Sequence, residues 1–215
     1  MLLTAYMFCS ATESKSQDVS AWQNDLRYLQ RTVHEKYSNL FYNISATDWD
    51  KAVDSLYTQI PALDNYQRLT GFIKLVARFH IGHTQMNTFG MHASTGAMQL
   101  HRYPFQLYWF NDGVYMISAE EKYASAVGGK ITMIGNMKID DALETMRPLV
   151  SYENEQGFKG NAVFFLATPE FVKAQGIANS ADEIMIKYIK DGKESTVVFA
   201  AGNNNNVFSP TGLEI

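Results

Sequence analysis

Residues 103–119 read YPFQLYWFNDGVYMISA, and the fold class turns on them. Tyr103 to Phe110 and Val114 to Ala119 are aromatic and β-branched runs, the residue types that suit a pleated, half-buried surface. Asn111-Asp112-Gly113 lies between them, and Asp-Gly tolerates the positive φ that a short hairpin turn needs. The stretch predicts a β-hairpin. Near Thr84 the hydrophobic period changes from 3.6 to 2. The chain therefore reads as α+β, with a small helical domain first and a β-rich domain with short helices after it.

Upstream of the hairpin three helices are expected. Val19, Trp22, Leu26, Leu29, Val33 and Tyr37 are spaced by three and four and line one stripe of a helix from Val19 to Tyr37, capped by Asp18 or Ser16. Asn39-Leu40-Phe41-Tyr42 breaks the period. A capping box at Thr47-Asp48-Trp49-Asp50 opens the second helix, with Trp49, Val53, Leu56 and Ile60 inward and Pro61 at its end. Asp64 or Asn65 caps the third, whose stripe runs Tyr66, Leu69, Ile73, Val76, His80 and stops at Gly82. Short connections imply antiparallel neighbours. Thr84 to Phe89 reads as a strand and Gly90 to Gln99 as a loop.

Downstream, Lys130 to Ile134 reads as a strand entered from Gly128-Gly129 and left through Gly135-Asn136. Helices follow at Ile139 to Leu149, Asn154 to Leu166 and Pro169 to Gln175. Glu183 to Ile189 and Ser195 to Ala200, joined by Asp191-Gly192, form a second hairpin. Four asparagines open the tail from Gly202 to Ile215, which reads as a linker.

Composition narrows the function classes. The 215 residues carry 18 Lys+Arg against 22 Asp+Glu, a formal charge of −4, so nucleic acid is not an expected partner. At 46% hydrophobic and 19% charged the chain is globular. Cys9 is the single cysteine, which excludes an intramolecular disulfide and a cysteine-based zinc site. No apolar run approaches the length needed to span a bilayer. The apolar stretch Met1 to Cys9 reads as the remnant of a secretory signal, with Cys9 placed where lipoproteins carry their lipidated cysteine; the other reading is a ragged terminus.

The candidate chemistry is sparse. His80 and His83 are three apart, but Gly82 interrupts the helix and no third ligand is suitably spaced, so no metal or cofactor is expected. His83, at a chain reversal, can serve as a general base or as a structural hydrogen-bonding group. No serine sits in a Gly-x-Ser-x-Gly elbow, and Gly128-Gly129 lacks a phosphate-loop pattern. Val127-Gly128-Gly129-Lys130 reads as a tight turn, or as a loop whose N–H groups face a carboxylate. Phe105, Leu107, Trp109, Phe164 and Phe165 read as core.

The order of parts resembles a known family. Trp22-x-x-Asp25-Leu26-x-x-Leu29 leads to Asn39-Leu40-Phe41-Tyr42, then Trp49, Ile60-Pro61, Tyr66-Gln67 and Ile81-Gly82-His83-Thr84. Tyr103-Pro104-Phe105 and Gly129-Lys130-Ile131-Thr132-Met133-Ile134-Gly135-Asn136 follow. Over residues 20–201 this is similar to the amino-terminal half of the tail-specific and tricorn-like serine peptidases, family forty-one of the serine peptidases. The resemblance implies a helical cap over residues 17–82, a connecting strand and loop over 83–102, a PDZ-like domain over 103–201, and a linker over 202–215 toward a catalytic domain absent from this chain. It implies a peptide or unstructured polypeptide as partner, proteolysis outside the cytoplasm as setting, and His83 as general base for a serine supplied by that domain. Ile81 stands where the family carries an acidic residue. On this reading the chain alone is inactive, Val127, Gly128, Gly129 and Lys130 touch substrate, and His83 is more exposed than His80. The alternative is a free-standing PDZ-like module that binds peptides or other ligands without catalysis.

Overall fold

In a computed structural model, residues 10–93, 98–202 and 210–212 are described. The chain is α+β, with a helix-rich amino-terminal region and a single antiparallel sheet after it. Helix α1 (Ser10–Lys36) already begins at Ser10, ahead of the Ser16 and Asp18 caps expected for it. Helix α2 (Ala46–Gln59) is capped by Ser45, not Thr47: the Ser45 hydroxyl accepts the Asp48 N–H at 3.1 Å. Helix α3 (Asn65–Ala77) has a full capping box, in which Asp64 accepts the Gln67 N–H at 2.9 Å and Gln67 accepts the Asp64 N–H at 3.0 Å.

Two hydrophobic clusters organise the packing. Leu26, Val33, Trp49, Val53, Ile60, Phe72, Leu75 and Phe79 form the helical one. The larger cluster is built on the sheet and includes Leu69 and Ile73. Helix α3 therefore feeds both, with Phe72 and Leu75 on one side and Leu69 and Ile73 on the other. That explains why its buried face is wider than a single stripe. Trp22 and Met86 pack against both clusters.

Helix α3 ends before the sequence pattern does. Phe79 N–H bonds Val76 O at 3.2 Å and His80 N–H bonds Ala77 O at 3.0 Å, a tightened last turn. His80 then takes a left-handed φ of 51°. Phe79, not His80, enters the core, and His80 is exposed. His80 thus leaves the buried stripe expected for it, and both it and His83 are exposed.

The segment from Thr84 to Phe89 is not a strand. Among the described residues no strand pairs with it, and Thr88 O instead accepts the N–H groups of Met91 and His92, turning the chain into the short helix α4 (Phe89–Ala93). The expected loop from Gly90 to Gln99 thus begins in α4, and residues 94–97 lie outside the described residues.

The predicted hairpin is present as β1 (Phe105–Phe110) and β2 (Gly113–Glu120). Then come β3 (Lys130–Ile134), β4 (Met137–Lys138), α5 (Ile139–Met146), α6 (Glu155–Leu166), α7 (Pro169–Ala174), β5 (Glu183–Lys190) and β6 (Lys193–Ala200). Asp191 and Gly192 both have positive φ, 52° and 73°, the two-residue turn whose twist suits the β5–β6 hairpin. The strand order is β1-β2-β3-β5-β6, with β4 paired to β3. The tail is not wholly a linker: β7 (Pro210–Gly212) pairs with Ser118 to Glu120, the part of β2 that runs past β3. Residues 203–209 and 213–215, like Met1 to Cys9, lie outside the described residues. Among the described residues no helix is long and apolar enough to cross a membrane.

Candidate functional site

His83 sits in a tight turn. Thr84 N–H bonds Ile81 O at 2.9 Å, and the Gly82 N–H bonds the Glu153 carboxylate at 3.1 Å. Next to it the His80 ring meets the Tyr152 ring edge-on at 5.7 Å. Two contacts therefore hold the turn on the segment between α5 and α6. The His83 side chain is exposed, and among the described residues it makes no hydrogen bond or ion pair, Thr84 included. The turn presents an imidazole on a fixed backbone with both ring nitrogens open.

The turn at Val127 to Lys130 is closed upon itself. The Val127 N–H donates to Ala124 O at 3.1 Å, Gly128 N–H to Met116 O at 2.8 Å and Gly129 N–H to Ala126 O at 3.0 Å. Lys190 Nζ holds Val127 O at 2.7 Å, and Lys130 lies 3.6 Å from Asp112. A carboxylate arriving here would have to displace bonds already made, so the tight-turn reading accounts for these residues. The glycines have packing reasons. Gly128 has φ of 84°, and a Cβ on Gly129 would lie 2.4 Å from the Tyr188 ring.

An open groove lies elsewhere, between β1 and α6. It encloses about 240 Å³ and is lined by Arg102, Phe105, Leu107, Ile117, Val163 and Phe164, with Gly160 leaving space on the helix. β1 is the outermost strand on this side, so one of its edges has no strand partner among the described residues. Arg102 is half-buried at the end where β1 begins, its guanidinium 4.0 Å from the centre of the Phe164 ring. Among the described residues that guanidinium has no hydrogen bond or ion pair, and burial pushes its pKa below the usual value. A cation held out of water without a counter-charge favours an anionic ligand.

The backbone that carries Arg102 is clamped. Glu170, in the first turn of α7 and only 4% exposed, accepts the His101 N–H at 3.0 Å and contacts His101 Nδ1 at 2.5 Å. Arg102 O accepts the Gly202 N–H at 2.9 Å, and Tyr103 N–H donates to Ala167 O at 3.0 Å. Beside the pair is a cavity of about 330 Å³ lined by Asp64, Tyr66, Lys173 and Asp182 as well. Burial raises the Tyr66 hydroxyl, and the charges of Glu170 and Asp64 raise it further. Tyr66 donates to Gln99 O at 2.8 Å. Among the described residues no hydroxyl or thiol bonds the His101 ring, so the pair is a carboxylate–imidazole clamp without a nucleophile.

Glu170→Ala would take the acceptor from the half-buried His101 N–H. It is expected to destabilise the protein by about 2–3 kcal/mol, and Glu170→Gln by less because one oxygen acceptor remains. Urea unfolding of both variants measures this; equal stability of wild type and Glu170→Ala would contradict the clamp.

Sequence reasoning found His83 but not Arg102, His101 or Glu170. The clamp joins residues 69 positions apart, and no local pattern marks either partner. Among the described residues no group of three His, Cys, Asp or Glu is placed to hold a metal ion. No protein-family model matches the chain, and no curated protein matches it.

Proposed function

We propose that this chain is the non-catalytic amino-terminal part of a tail-specific or tricorn-like serine peptidase acting outside the cytoplasm. Residues 17–82 are its cap and residues 103–201 its PDZ-like peptide-binding domain. The observation that carries the reading is the β1–α6 groove. An extended peptide can add to an unpaired strand edge through main-chain bonds, with its side chains in the groove. Arg102 at one end, with no counter-charge among the described residues, suits the peptide's terminal carboxylate. His83, exposed on a pinned turn with both ring nitrogens open, supports a role as base for a nucleophile brought by another domain. That its ring meets no nucleophile among the described residues also favours the second reading, a module that binds peptides and does not cut them.

The test is fluorescence anisotropy with a labelled ten-residue peptide ending in an apolar residue, as free acid and as amide. The acid should bind the purified chain about 10–100-fold more tightly, the range for hydrogen bonds to a charged group. Arg102→Met should remove that difference, and no cleavage products should form. Equal binding of acid and amide would overturn the carboxylate assignment. Cleavage that copurifies with the chain through successive columns would overturn the non-catalytic one.

A further inference from the structure

A second cation shares the condition of Arg102. Helices α2 and α3, with the end of α7, enclose an open depression of about 260 Å³. Lys74 on α3 and Arg78 at its carboxy-terminal cap both line it, four residues apart. The polar groups around them are neutral, among them Ser55, Gln59 and Gln67, and among the described residues no Asp or Glu lines the depression. That is unexpected in a chain with 22 acidic and 18 basic residues. Two other cations of the helical region do have acids: Arg27 is 2.7 Å from Asp54 and Lys51 is 2.9 Å from Asp48. The Lys74 ammonium is half-buried, with no hydrogen bond or ion pair among the described residues, and burial alone lowers its pKa.

Helix geometry explains only part of this. A helix carboxy-terminus favours positive charge, which accounts for Arg78 at the cap of α3. It does not account for a desolvated lysine one turn earlier, because like charges at i and i+4 repel. The floor is apolar: Leu56 and Leu75 line it, and a Cβ added to Gly71 would meet Leu56 at 2.6 Å. Two cations over an apolar floor with amide donors at the rim form a receptor for a compact anion carrying two charges.

We propose that this depression binds a small dianion, a phosphate monoester or a dicarboxylate, held between Lys74 and Arg78. The volume is below that of most drug-sized ligand sites, which limits the occupant to a small molecule or to one charged group of a larger one. The site is separate from the β1–α6 groove and does not depend on the peptidase reading.

The experiment is an amide NMR titration of the full chain with inorganic phosphate and, separately, with succinate. Sodium chloride holds ionic strength constant, because surface charge effects are screened by salt. Saturable shifts centred on Gln59, Lys74 and Arg78, with Kd of about 1 mM or below, are expected for one of the two anions. Phosphate alone assigns a phosphate ester, and succinate alone a dicarboxylate. Lys74→Met and Arg78→Met should each weaken binding about tenfold, whereas Lys187→Met, on the distant strand β5, should not. Arg78 is exposed, so its variant serves as the folded control should Lys74→Met lose structure. Shifts that do not saturate, or that survive both α3 substitutions, would overturn the proposal.

Discussion

On the peptidase reading proposed above, His83→Ala is expected to lower kcat by roughly 10⁴-fold or more while leaving peptide binding in the β1–α6 groove unchanged. The size follows from the role. A serine hydroxyl is a poor nucleophile until a base takes its proton, and the remaining binding groups cannot replace that step. The split follows from position. His83 projects from the Ile81–Thr84 turn held by Glu153, whereas the groove is lined from β1 and α6. The measurement is hydrolysis of an unstructured polypeptide by the gene product isolated from its source, with anisotropy binding run in parallel. Unchanged kcat in the variant would remove His83 from the chemistry and leave the binding module as the surviving reading. A fall in both readouts would mark His83 as structural.

Trp49→Ala should destabilise the protein by about 3–5 kcal/mol, the range for emptying a large aromatic site. Trp49 is 0% exposed. Its ring stacks on Phe79 with centroids 5.4 Å apart and meets Phe41 edge-on at 6.0 Å. Its indole N–H donates to Leu75 O at 3.0 Å. That carbonyl is free because the Phe79 N–H bonds Val76 O instead. The substitution therefore opens a cavity and strands a buried acceptor at once. Trp49→Phe keeps most of the volume and should cost about 1–2 kcal/mol, mainly through the lost hydrogen bond. Urea unfolding monitored by circular dichroism separates the two. Because Trp49 grips the last turn of α3, the alanine variant should also loosen the His83 turn, seen as faster amide exchange at Gly82 and Thr84. A loss below about 1 kcal/mol for Trp49→Ala would mean the helical cluster contributes little to global stability.

Much of the architecture was legible because its signals are local. Asp112-Gly113 and Asp191-Gly192 each specify a hairpin through the backbone freedom of the turn. Trp49, Val53 and Leu56 specify a helix face by spacing alone. Errors arose where the partner was remote. Thr84 to Phe89 has strand-like residues, but a strand exists only if another edge accepts it, and none does among the described residues. Pro210 to Gly212 has no strand signature, yet it pairs with β2 because β3 leaves Ser118 to Glu120 uncovered. His80 keeps the helical spacing, but α3 unwinds just before it and points Phe79 inward instead.

The candidate site divides in the same way. The amino-acid sequence by itself determined that the chain is α+β, that helices precede the sheet, and that His83 stands at a turn after the third helix. These follow from hydrophobic period and from glycine, which act over a few residues. Only the tertiary structure decided that the Val127-Gly128-Gly129 turn spends its N–H groups on Ala124, Met116 and Ala126. It alone decided that Arg102 and Lys74 lie half-buried without a counter-charge among the described residues, and that Glu170 grips His101. A glycine pair reads the same in sequence whether its donors are free or bonded. Whether a charge is paired depends on which distant side chain the fold brings beside it. Both properties arise from packing between elements remote in the chain, so no local pattern of residue types encodes them.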